Sequence, residues 1–122
     1  MGLPPVAPEQ PSPLSEKQRV VLRARAEARA HQAQIEACRL EKHVLVVALM
    51  ADNERRADLV AAAEVHVARW ERNSMCWSGY ISAWRNMLAM PVDQMAQIIL
   101  APSGDGPALR QNSPFLSVEL MS

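Results

Sequence analysis

The chain has 122 residues, 13 basic against 13 acidic side chains, and a formal net charge of zero. That length suits one domain, and the balanced charge excludes a molecule drawn as a whole to nucleic acid or an anionic membrane. No apolar run approaches the roughly 20 residues that span a bilayer, and the first residues lack the basic start and apolar stretch of a secretory signal. Cys38 and Cys76 form no CxxC pair. They are expected as reduced thiols of a cytoplasmic protein, with no membrane contact.

Residues 1–14 hold Pro4, Pro5, Pro8, Pro11 and Pro13 and read as a disordered, proline-rich leader. Between Leu14 and Ser78 there is neither glycine nor proline; alanine, arginine, glutamate, leucine and valine predominate, and most of them favour helix. Ser15-Glu16-Lys17-Gln18 has the form of a capping box. Apolar positions then recur at 21, 24, 28, 35, 38, 45 and 49, a seam of coiled-coil-like spacing. Its first half is nearly all alanine. Its second half, Ile35 to Met50, carries larger side chains and is expected to be buried.

Asp52 or Asn53 can end this helix and cap the next. A second seam follows at Leu59 or Val60, Ala63, Val67, Trp70, Trp77, Ile81, Trp84 and Leu88. Gly79 weakens it locally by about 1 kcal/mol, so a kink or helix end is expected between Asn73 and Gly79. Pro91 can open a short helix whose apolar face is Val92, Met95, Ile98 and Ile99. Pro102–Pro107 is a loop signal and Asn112-Ser113-Pro114 a turn signal. Residues 115–120 alternate weakly, as a docking tail or a frayed end would.

The fold class is therefore all-α. A long helix and an antiparallel second helix form a hairpin, with one or two short C-terminal helices. The divisions are the leader to residue 14, a helical domain over 15–101, and a loop and tail over 102–122.

The three tryptophans, Trp70, Trp77 and Trp84, are spaced by sevens and share one helix face. Such mass builds a core, yet Trp, Tyr, Met and Arg also concentrate at interface centres. Trp84 is expected in the core. Trp70 and Trp77 flank or fall within the weak point and are the two expected to reach the surface.

No glycine-rich phosphate loop, GxSxG, HExxH or paired-cysteine motif is present, so no catalytic residues, cofactor or metal are assigned. His31 and Cys38 lie about 10 Å apart along a helix, too far for one ion. The histidines are read as surface or half-buried and Cys38 as a small core residue.

The leading functional expectation is a non-enzymatic protein that binds a protein partner through a helical surface. The candidate contacts are Arg19, Arg23, Arg25 and Arg29 on the first helix and Trp70, Arg72, Met75 and Trp77 on the second. A helix from Ser15 to Ala51 would be about 55 Å long and its successor only about 30 Å. The mismatch leaves the first half for a partner or for a second copy in a homo-oligomer. The alternative is a small nucleic-acid-associated regulator, such as a dimeric repressor or an antitoxin-like protein. In composition the chain resembles small bacterial accessory and mobile-element proteins.

Overall fold

A computed structural model describes residues 13–120, so the expected leader lies outside the described residues as far as residue 12. All regular elements among the described residues are helical. They are α1 (Glu16–Leu49), α2 (Asn53–Asn73), α3 (Ser78–Leu88), α4 (Val92–Ile99), α5 (Gly106–Gln111) and a 3-10 turn at Pro114–Ser117. Among the described residues no helix is long and apolar enough to cross a membrane. The described residues fall into two units, divided after Gln34; α1 contributes to both.

In the first unit, residues 13–34 are all exposed. The helix opens through the capping box. The Ser15 amide donates to Gln18 Oε1 at 2.9 Å, and the Gln18 amide donates to Ser15 Oγ at 3.1 Å. Two of the amide hydrogens that a helix start leaves open are thereby satisfied.

The second unit is built on one core. Leu59, Ala63 and Val67 of α2 pack with Ile81, Trp84, Met87 and Leu88 of α3, Met95 and Ile99 of α4, and Leu109 of α5. The spacing along α2 is one side chain per turn, which puts them on a single face. Helix α2 packs chiefly against α3 and against the 3-10 turn. Asp52 caps α2, its Oδ1 accepting from the Glu54 amide at 2.9 Å. The expected break falls where foreseen. Helix α2 ends at Asn73, Ser74 takes a left-handed conformation with φ 52°, and α3 begins at Ser78. Glu71 and Arg85 then pair across α2 and α3 at 2.7 and 3.0 Å, both exposed.

Three expectations need correction. The inward face of α1 in this unit is His43 and Val46, continued by Met50 just past its end, not the seam through Ile35, Cys38, Leu45 and Leu49. Cys38 and Leu45 are exposed, as is Val44, while Ile35 and Leu49 are half-buried. Apolar spacing was an ambiguous guide because valine and leucine occur on both sides of this stretch. Docking of the C-terminal residues selects the side carrying His43. His43, expected at the surface, is buried. Finally, the span 102–122, expected as loop and tail, contains α5 and the 3-10 turn. It sends Leu109, Phe115, Val118 and Leu120 into the core.

Polar groups hold that C-terminal segment in place. Lys42 Nζ donates to the Leu116 carbonyl at 3.0 Å, and Arg55 donates to the Leu120 carbonyl at 3.1 Å. Arg110 is buried, and its Nη1 donates to the carbonyls of Ile99 at 2.9 Å and Ala101 at 2.7 Å. These are carbonyls at and just beyond the end of α4, where helix acceptors lack intrahelical partners.

Candidate partner-binding surfaces

The arginines of α1 do not make one surface. Helical spacing puts Arg19 and Arg23 on one side, and Arg25 and Arg29 on another. Arg19 is held by Glu16 at 2.7 Å. Arg23, Arg25 and Arg29 have no hydrogen bond or ion pair among the described residues. Arg25 instead borders a shallow groove lined by Leu14, Lys17, Gln18, Val21 and Leu22. Val20, Val21 and Leu22 are 51, 42 and 46% exposed; Val21 and Leu22 line the groove beside that basic edge, and Val20 lies round the helix from Leu22.

The second candidate set lies in the other unit, around the α2–α3 break. Trp70 is half-buried and packs on the core, and Arg72 is exposed. Met75 and Trp77 are 63 and 69% exposed. The Trp77 indole meets the Tyr80 ring edge to face, with centroids 5.3 Å apart. It also lies across Gly79 so closely that a Cβ there would run into the ring. Glycine at 79 thus has a packing reason: it gives the indole a seat on the first turn of α3. Trp84, one heptad on, is fully buried against Phe115 with centroids 5.6 Å apart. The seven-residue spacing does not place the three indoles alike, because the chain leaves the helix between Asn73 and Ser78.

Sequence reasoning missed one buried polar arrangement. His43 Nδ1 lies 2.6 Å from the Arg39 carbonyl, and Nε2 lies 2.7 Å from Ser113 Oγ. A carbonyl only accepts, so Nδ1 carries the proton in the neutral ring and Nε2 accepts from the Ser113 hydroxyl. Ser113 Oγ also accepts from the Phe115 amide at 3.1 Å, capping the 3-10 turn. Burial, with the nearby charges of Arg110 and Lys42 adding to it, holds the imidazole pKa below its ordinary value against the opposing pull of the Arg39 carbonyl. A hydroxyl on an imidazole is the pairing of a nucleophile and its base, but here both groups are buried. The hydroxyl is committed to the Phe115 amide, so the pair acts as a latch in the core. Serine before proline at a turn was the one available signal for Ser113; nothing local announced its partner 70 residues away.

Among the described residues no group of three or more His, Cys, Asp or Glu side chains is arranged to hold a metal ion. Comparison with protein families, curated proteins and solved structures gives no match.

Proposed function

We propose that this chain is a non-enzymatic interaction protein that binds a protein partner through the first half of α1. One observation carries the reading: residues 13–34 bury no side chain, yet Val20, Val21 and Leu22 stand exposed beside basic groups that are unpaired among the described residues. Helices in water draw most of their stability from packing an apolar face. Valine is also a weaker helix former than alanine or leucine. With about half of each side chain still exposed, covering them completely would contribute on the order of 1 kcal/mol each. The Trp77–Tyr80–Met75 cluster, with Trp70 and Arg72 beside it, is a second contact surface. The three-residue joint Met50–Asp52 has the length of an αα-hairpin loop, and Val46 and Met50 share one core with Leu59, Ala63 and Val67; the close backbone approaches of α2 are to α3 and the 3-10 turn rather than to α1, so such a hairpin would be splayed. Cys38 and Cys76 are free thiols, in keeping with a reducing compartment such as the cytoplasm.

A photo-crosslinking residue at Val21, introduced in the source organism, tests the reading against the same residue at exposed Ala61. The Val21 position should trap a discrete protein adduct that Ala61 does not. Replacing Arg19, Arg23, Arg25 and Arg29 by Gln should reduce the adduct while leaving the melting temperature unchanged. Adducts to nucleic acid, with affinity falling steeply between about 50 and 200 mM salt, would establish the nucleic-acid regulator instead. Adducts to a second copy would establish a homo-oligomer.

A further inference from the structure

The groove on α1 has a readable geometry. Leu14, Gln18 and Leu22 form one ridge at four-residue spacing, and Lys17, Val21 and Arg25 form the ridge beside it. Arg29 continues the second ridge one turn on. The furrow between two such rows is what the ridge of another helix fills when helices pack. Val21 has a cation one turn before it and another one turn after it, and Lys17, Arg25 and Arg29 are all unpaired among the described residues. Of the two acidic side chains in residues 13–34, Glu16 is already held by Arg19.

We infer that this groove receives an acidic amphipathic helix of a partner protein, a conclusion that rests on the protein-binding reading of α1. The apolar ridge of the incoming helix would cover Val21 and Leu22, and its flanking carboxylates would meet Lys17 and Arg25. Charge decides between this occupant and the others. A second copy related by two-fold symmetry offers the same patch to itself, setting Lys17, Arg25 and Arg29 against their own kind, and like-charge juxtaposition is costly. A phosphate backbone would satisfy the cations but leave Val21 and Leu22 uncovered. Only a ligand that is both apolar and anionic answers both features.

The test is a display library of helical peptides with a fixed leucine ridge at four-residue spacing and all other positions random, selected on the full-length chain. Enriched peptides should carry Asp or Glu beside the ridge. Val21→Asp should abolish their binding. Lys17→Glu with Arg25→Glu should weaken it by about tenfold or more and turn the selection toward Lys- and Arg-rich peptides. Circular dichroism checks that each variant keeps its helix content. Neutral or basic peptides that still depend on Val21 would overturn the acidic occupant while leaving protein binding by α1 intact. Acidic peptides indifferent to Val21→Asp, or no enrichment, would overturn the groove as their site. No enrichment together with retention of duplex DNA by the wild-type chain would overturn both readings.

Discussion

Removing the Ser113 hydroxyl probes how the C-terminal segment is held. In Ser113→Ala the buried His43 Nε2 loses its donor at 2.7 Å and the Phe115 amide loses its acceptor at 3.1 Å. A buried polar group left without a partner costs about 1–3 kcal/mol. With two affected, and one of them at the edge of a turn, the expected loss is about 2–4 kcal/mol, on the order of 10–20 °C in melting temperature for a domain of this size. His43→Leu with Ser113→Ala removes donor and acceptor together, so it should cost less than the sum of the single changes. The latch also predicts a pH dependence. The folded state holds His43 neutral, below its ordinary pKa, whereas the unfolded chain protonates it near about 6.5. The unfolded state then binds more protons below that value. The contribution of His43 is complete above about pH 6.5 and declines as the pH falls through and below it, by at most about 1.4 kcal/mol per pH unit. Urea titrations followed by near-UV circular dichroism between pH 7.5 and 5 measure both effects. If Ser113→Ala melts within 2 °C of wild type, or His43→Leu retains the full wild-type pH dependence, the latch is wrong.

Trp84→Ala should cost about 3–5 kcal/mol and leave the unit unfolded or near its melting point at 25 °C; an unchanged melting temperature would remove Trp84 from the core. Arg110→Met keeps the apolar stem but strips two charged hydrogen bonds from the end of α4. A loss of about 2–4 kcal/mol is expected by chemical denaturation, and a neutral result would show those carbonyls need no donor. Gly79→Ala should displace the Trp77 indole, erasing the near-UV signal of the Trp77–Tyr80 pair. Stability should change by less than about 1 kcal/mol, because the helix gains what alanine offers over glycine while an already exposed ring swings away. Retention of that signal would contradict the close approach at Gly79.

Local chemistry was legible in the sequence wherever one element decides it. The capping box at Ser15, the cap at Asp52, the break after Asn73 and the start of α4 behind Pro91 all depend on neighbours within four residues, and all stand in the structure. The inward positions of α2 and α3 were legible too, because Leu59, Ala63 and Val67, and again Ile81, Trp84 and Leu88, recur at three- and four-residue steps. The exposure of the first half of α1 was legible for a related reason: alanine and arginine offer little to bury, and residues 13–34 bury nothing.

Which face of α1 turns inward in residues 35–49, and what covers it, was decided only by tertiary structure. Both sides of that stretch are apolar enough, and the side that turns inward is the one on which His43 meets Trp84, Ser113 and Phe115, 41 to 72 residues on along the chain. Those contacts bury His43, which a local reading leaves at the surface, because a hydroxyl at Ser113 and a carbonyl at Arg39 satisfy both ring nitrogens. Spacing sets which side chains share a helix face; long-range contacts determine which face is worth burying, since the free energy of burial belongs to the pair of surfaces and not to either one.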